Sequence, residues 1–222
     1  MNGAPTLPEE LLLLALDPVR GKPYCRGSFL EYGIAGAVLA ELELQGRVTE
    51  ERGRVVVVKP LDPPDPLLAV FLRSLPAPGR SRFGSGVSAQ RWVRQTGRRA
   101  EGLWLDDLVE RGVLRRETRR FIGLFPYHRH PEGAGGGAAA ARQRFEESRA
   151  AGHPDRGGRL LAALAAAVEL PSVVKEGDRR TRAAARALAR EEWPALAVHR
   201  NVRQDKASQA GGGDGGGGGG GD

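Results

Sequence analysis

The chain has 222 residues, of which 40% are hydrophobic, so it is long and apolar enough to bury the core of one large domain or two small ones. Its single cysteine, Cys25, excludes an intramolecular disulfide and indicates a reducing compartment. The formal net charge of +7 favours polyanionic partners, either nucleic acid or an anionic membrane surface, and does not choose between them.

The first predicted helix covers about Leu7 to Leu16. Thr6 and Glu9 have the spacing of a capping box, in which the two side chains satisfy free amides at the helix start. Pro8 lies in the first turn, where a missing N–H costs nothing. The next segment, Asp17 to Ser28, contains two prolines and two glycines, which predicts a loop.

A helix that stops at a glycine and continues into a β-hairpin is predicted twice. In the first unit, Ile34, Val38 and Leu42 recur every four residues and line one face of a helix. Gly46 ends this helix, because glycine accepts the left-handed conformation that closes the last turn, so a positive φ is expected there. Val48 then begins a strand, EERG forms the turn, and VVVV returns.

The second unit spans Leu103 to Phe125. Its helix ends at Gly112, where a positive φ is again expected. Val113 and Leu114 begin a strand, RRETRR forms the turn, and FIGLF returns. Because neither a hairpin nor its helix buries an apolar face alone, each hairpin is expected to pack against the helix that precedes it.

The rest of the chain is predicted to be mostly helical. A proline-rich link from Pro60 to Pro66 leads into a helix around Leu67 to Leu75 and then into a flexible glycine- and serine-rich loop, APGRSRFGSGVSAQ. Three further helices are expected at about Ala138 to Ala150, Leu160 to Leu170 and Arg179 to Glu192. The predicted fold is mainly α, a single helical domain over residues 1–206 with small β-hairpins following two core helices. A disordered glycine-rich tail is expected over 207–222.

No residue pattern in the chain indicates catalysis. No nucleophile is paired with a base, and the one cysteine and four histidines offer no third metal ligand at a useful spacing. We therefore expect no enzyme activity, no metal and no cofactor. The apolar run from Leu160 to Val168 is far shorter than the ~20 residues that cross a bilayer, so any membrane contact is expected to be peripheral.

A basic segment, RWVRQTGRRAEGLW, combines arginines with tryptophans. Arginine binds phosphate through two parallel hydrogen bonds and an indole ring favours a membrane interface, so one interpretation places Trp92 and Trp104 with the arginines at a lipid surface. The alternative is a solvated arginine face with both tryptophans in the core. The arginines concerned are Arg91, Arg94, Arg98 and Arg99.

A helix followed by a hairpin is also the pattern of a winged-helix DNA-binding domain, in which a helix enters the major groove and the hairpin contacts phosphate. The helix IAGAVLAELEL has almost no basic or amide side chains that could contact base edges, and LWLDDLVER is acidic on its exposed side. These two helices argue against DNA binding, so no nucleic-acid partner is expected. Winged-helix-like DNA binding is the alternative hypothesis.

Five segments occur together in an order and spacing that resembles a known family. They are LPEELLLLALD, GIAGAVLAELELQGRV, DDLVERGVL, FIGLF and DRGGRLLAALAAAVEL. Over about Thr6 to Arg200 the chain resembles the Golgi phosphoprotein 3 domain family, and it looks like a bacterial stand-alone member. Eukaryotic members bind phosphatidylinositol 4-phosphate and act as adaptors that retain glycosyltransferases. The resemblance thus implies a mostly α-helical domain and a peripheral membrane-associated adaptor.

The resemblance also implies a head-group pocket. Family members build it from a loop tryptophan, a helix arginine and an Arg-x-x-Arg pair, and these positions fall at Arg26, Ala35, Arg98 and Glu101. Only Arg98 keeps the residue type, so we expect anionic phospholipid or phosphoinositide head groups to bind around it. The complete expected site is Arg98, Arg26, Arg99, Arg94 and Tyr24. Further expectations are other membrane-associated proteins as partners and a cytoplasmic location, peripheral on the inner face of the membrane.

Overall fold

The computed structural model describes residues 4–26, 28–77, 86–121, 125–171 and 179–210. The described residues form eight helices and five short strands, which confirms the predicted mainly α class. The helices are α1 (Leu7–Ala15), α2 (Phe29–Leu44), α3 (Pro66–Ser74), α4 (Ala89–Glu110), α5 (Ala138–Ala150), α6 (Arg156–Ala167), α7 (Arg179–Glu191) and α8 (Trp193–Ala210). The strands are β1 (Val48–Glu51), β2 (Arg54–Val57), β3 (Val87–Ser88), β4 (Glu117–Phe121) and β5 (Phe125–Arg129).

Helix α2 lies at the centre of the core. Twelve of its sixteen residues are buried, because α1, α4, α6 and α8 pack around it. Two glycines allow this close packing. A Cβ at Gly36 would overlap the side chains of Val198 and Leu164, and one at Gly33 would overlap Val168. The helix therefore lacks the broad solvent-exposed polar face that a surface helix has.

Both predicted glycine stops are confirmed. Gly46 and Gly112 have φ of +64° and +72°. After α2, the amide of Gly46 donates to the carbonyl of Glu43, and the amide of Arg47 donates to that of Leu42. The same pair of hydrogen bonds follows α4, so both helices end in a Schellman motif.

The capping box predicted at the start of α1 is wrong. The hydroxyl of Thr6 accepts no helix amide and is buried without a hydrogen-bond partner among the described residues. The amide of Leu7 donates instead to Oε2 of Glu41 on α2, at 3.0 Å. Glu9 forms an ion pair with Arg111 at 2.9 Å. Contacts with other helices thus replace the local cap.

The first hairpin forms where it was predicted. β1 and β2 pair antiparallel from Val48↔Val57 to Glu51↔Arg54, and Val48, Val55 and Val57 are buried. β3 adds a third strand through Val55↔Val87, so the end of the segment predicted as a flexible loop is a strand. Val87 and Ser88 find their backbone hydrogen-bond partners on the outer edge of β2, which is distant in sequence, so the local sequence does not predict this strand.

The second hairpin differs from its prediction in two respects. β4 and β5 pair from Glu117↔Arg129 to Phe121↔Phe125, so the residues predicted to turn belong to a strand. Of the predicted return strand FIGLF, residues 122–124 lie outside the described residues. In the described part of β4, Thr118, Arg119 and Arg120 are exposed, so these three residues are not buried against α4. Its charged side chains favour solvent over the apolar surface of a helix.

Helix α8 was absent from the prediction, which ended the last helix at Glu192. It packs against α2, α4, α6 and α7, and it continues past the predicted domain boundary to Ala210. The predicted glycine-rich tail from 211 onward lies outside the described residues. Within the described part of the chain, none of the helices has the length and apolar character needed to cross a membrane.

Candidate anion-binding surface

The two tryptophans of α4 belong to the core. Trp92 and Trp104 expose only 5% and 1% of their surface. The ring of Phe71 on α3 stacks on Trp104, with 5.5 Å between ring centroids, and meets Trp92 edge-on at 6.2 Å. The interpretation that places these indoles at a lipid surface is therefore wrong, because they hold α3 against α4.

The expected arginines lie where α4 crosses the start of α2. The crossing is close at Gly97, where a Cβ would come within 2.9 Å of the backbone of Glu31. Arg94, Arg98 and Glu101 lie on α4 on either side of this contact, at helical spacings of four and three residues. Their side chains therefore lie on one side of α4.

Arg94 is held by an acidic residue of α8. Its Nη2 donates to Oδ1 of Asp205 at 2.8 Å, and its guanidinium lies 5.7 Å from the ring centroid of Tyr32. The hydroxyls of Ser28 and Tyr32 each donate to the other oxygen of Asp205 at 3.0 Å. Arg94 therefore connects α4 to α2 and α8, and Asp205 balances its charge.

These contacts also affect the ionisation of Asp205. Partial burial acts to raise the pKa of its carboxyl group, but the hydrogen bonds from Tyr32, Ser28 and Arg94 outweigh burial and lower it. The carboxylate is consequently ionised across the neutral pH range. A stable negative charge beside Arg94 reduces the attraction of this arginine for a second anion.

Arg98 and Arg26 differ from Arg94. Both are exposed, and neither side chain has a hydrogen-bond or ion-pair partner among the described residues. Arg99 is also exposed, with its guanidinium 5.8 Å from the centroid of Phe71. Tyr24 exposes 43% of its surface. The expected set thus contains two unpaired arginines, one arginine against an aromatic ring and one arginine in an ion pair.

The loop that carries Arg26 lies close to Glu101. Burial, together with the nearby charge of Glu101, raises the pKa of the Cys25 thiol to about 12. Glu101 itself is largely buried. That burial, followed by repulsion from Glu31, raises its pKa to about 7. An acid that titrates near neutrality therefore lies one helical turn from Arg98.

The four positions that the resemblance assigns to a head-group pocket differ in burial and charge. Ala35 is fully buried in α2 and cannot contact a ligand. Glu101 carries an acid in place of an arginine. Arg98 and Arg26 each place a positive charge on the surface. Among the described residues there is no group of three or more His, Cys, Asp or Glu side chains that could hold a metal ion.

Sequence reasoning missed Asp205, Tyr32 and Ser28 as neighbours of the expected arginines. Asp205 lies in a helix that was not predicted, and it is 177 residues from Ser28 along the chain. A tyrosine one turn after the serine was the only local signal. This spacing is too common to indicate a hydrogen-bond network.

A family model described as Golgi phosphoprotein 3 (GPP34) matches residues 7–204, which include both hairpins and most of α8. Arg26 and Arg98 lie within the matched residues. Among curated proteins, no match to the chain was found.

Proposed function

Because this chain belongs to the Golgi phosphoprotein 3 family, we propose that it is a peripheral membrane-associated adaptor that binds anionic, phosphoinositide-like lipid head groups. The observation that carries the proposal is the pair of exposed, unpaired arginines, Arg26 and Arg98, on the loop before α2 and on α4. We include in the proposal a cytoplasmic location on the inner face of a membrane, with membrane-associated proteins as further partners.

The chemistry of these arginines fits a phosphate ligand. A guanidinium donates two parallel hydrogen bonds to phosphate oxygens, and an unpaired one does not have to leave a carboxylate first. Each arginine near an anionic bilayer contributes about 1 kcal/mol, and the attraction decays within about 10 Å at moderate salt. Two such residues support weak, reversible binding.

The other expected residues have smaller roles in this proposal. Arg99 is exposed and adds to the local positive potential. Arg94 fixes the position of α2 against α4, since Asp205 balances its charge. Tyr24 presents an amphipathic ring, which suits the interface between head groups and solvent.

The test is sedimentation with vesicles of phosphatidylcholine alone, with added phosphatidylserine, or with added phosphatidylinositol 4-phosphate. We expect the double variant Arg26→Gln, Arg98→Gln to bind anionic vesicles about 30-fold more weakly, because it loses about 2 kcal/mol of attraction. The charge control, Arg144→Gln with Arg149→Gln, removes the same number of positive charges from α5, where the two arginines pair with Glu10 and Glu146.

Equal losses in the site variant and the control would exclude a site at Arg26 and Arg98. If the wild-type protein binds none of the anionic vesicles, the proposed function is excluded. Preference for phosphatidylinositol 4-phosphate over phosphatidylserine at matched charge would identify a head-group site, whereas equal binding would indicate attraction to charge alone. Competing duplex DNA in the same assay tests the winged-helix alternative.

A further inference from the structure

Helix α7 carries a large unbalanced positive charge. Its thirteen residues include five arginines and no acid before the final Glu191. None of the five arginine side chains forms an ion pair or a hydrogen bond with any described residue. The arginines are Arg179, Arg180, Arg182, Arg186 and Arg190.

The exposed face of α7 places these arginines among small residues. Leu188 and Ala189 pack on the core, whereas Ala183, Ala184 and Ala187 are exposed. Alanines leave the guanidinium groups unobstructed and offer no large apolar side chain for insertion into a bilayer. The face therefore suits contact with a charged surface more than penetration of an apolar one.

Helix α8 continues the positive surface. Its buried sides contact α4, α2, α6 and α7, so its exposed strip lies between α7 and α4. Arg200 and Arg203 are exposed on this strip and have no partner among the described residues. Helix α7 packs against α8, and burial, with the charges of Arg190 on α7 and Arg203 on α8, lowers the pKa of His199.

The acids of this region are few and mostly engaged with other helices. Residues 179–210 contain eight basic and three acidic side chains, in a chain whose net charge is +7. Glu192 pairs with Arg156 of α6 at 3.6 Å, and Asp205 pairs with Arg94 of α4 at 2.8 Å. Most of the net charge of the protein is therefore concentrated on α7 and α8.

We propose that α7 and the exposed strip of α8 form a second membrane-binding surface, which attracts the anionic face of a bilayer without insertion. This inference rests on the proposed function, and it adds an interaction without head-group selectivity. α4, with Arg94 and Arg98, borders the same strip of α8 on its other side. The selective and the unselective contacts are thus adjacent.

The composition of the surface favours a bilayer over nucleic acid. The arginines are distributed over two neighbouring helices, and a bilayer offers phosphate across a plane of matching extent. Proteins that hold single strands stack bases on exposed aromatic rings. The aromatic residues in the described part of α7 and α8 are limited to Trp193 and His199, and both are partly buried.

The experiment compares three double variants on vesicles of phosphatidylcholine with phosphatidylserine. They are Arg186→Gln with Arg190→Gln on α7, Arg26→Gln with Arg98→Gln at the proposed head-group site, and the α5 control, Arg144→Gln with Arg149→Gln. We expect the α7 variant to bind about 30-fold more weakly than wild type, since each arginine near an anionic surface contributes about fivefold. The loss should be equal on phosphatidylserine and phosphatidylinositol 4-phosphate vesicles, and smaller at high salt.

Several results would overturn the inference. An α7 variant that binds like the α5 control, while the site variant is impaired, leaves the proposed function intact and excludes this surface. If the wild type does not bind anionic vesicles, the proposed function is excluded, and this inference is excluded with it. A variant that loses affinity for duplex DNA more than for vesicles would assign the surface to nucleic acid. Arg200→Gln with Arg203→Gln on α8 should repeat the α7 result, and far-ultraviolet circular dichroism checks that each variant folds.

Discussion

Replacement of Glu101 by glutamine should make the protein more stable at neutral and alkaline pH. In the folded protein, burial and the neighbouring Glu31 raise the pKa of this carboxyl group from 4.5 to about 7. A pKa that is higher in the folded than in the unfolded state means that the folded protein binds its proton more tightly. The stabilisation is therefore complete below about pH 4.5 and is lost as the pH rises through about 7.

The size of the effect follows from the two pKa values. Each unit of difference corresponds to about 1.4 kcal/mol, so ionising Glu101 in the folded protein costs about 3 kcal/mol. Glutamine keeps the shape of the side chain and cannot ionise. The variant should gain up to about 3 kcal/mol relative to wild type at about pH 8, and little at about pH 5.

Urea unfolding, followed by circular dichroism at several pH values, measures this difference. Glu110→Gln is the matched control, because Glu110 is an exposed residue near the end of the same helix. The control should keep the pH dependence of the wild type, whereas Glu101→Gln should flatten it between about pH 5 and about pH 8. If wild type and Glu101→Gln lose stability in parallel over this range, the burial argument for Glu101 is refuted.

Four other predictions concern particular residues. Gly46→Ala and Gly112→Ala should each lower the free energy of unfolding by about 1 kcal/mol, from backbone strain alone, because a Cβ there meets no atom within 4 Å. Gly36→Ala should cost more in the same denaturation assay, because its Cβ would overlap two side chains. Asp205→Asn should destabilise the protein by about 2 kcal/mol, yet strengthen binding to anionic vesicles by about fivefold in sedimentation. The Cys25 thiol, with a pKa of about 12, should react with a maleimide far more slowly in the native protein than in urea, and equal rates would contradict its burial.

The elements that the sequence predicted well depend on local signals. Apolar residues four apart define α2, and the glycines after α2 and α4 end those helices through hydrogen bonds within one turn. The turn of the first hairpin also follows from neighbouring residues, with Arg52 and Gly53 at φ of +53° and +78°. Each of these features is determined within about six residues of chain.

The features that the sequence did not predict depend on distant residues. Thr6 does not cap α1, whose first amide donates to the distant Glu41, and Trp92 is buried because Phe71 of α3 covers it. The partners of Asp205 lie more than 110 positions away. Helix α8 follows α7 after one residue and has Pro194 in its first turn, so local patterns did not separate it from the preceding helix. Long-range packing of this kind leaves no periodic signal.

The burial of α2 has a consequence for the order in which the protein is made. This strongly apolar helix leaves the ribosome long before α8, and α8 covers the surface at Gly36 that receives Val198. Until α8 has been synthesised, that surface lacks this partner. The nascent chain therefore carries an apolar helix that attracts chaperones, and its core closes only after Trp193–Ala210 has left the exit tunnel.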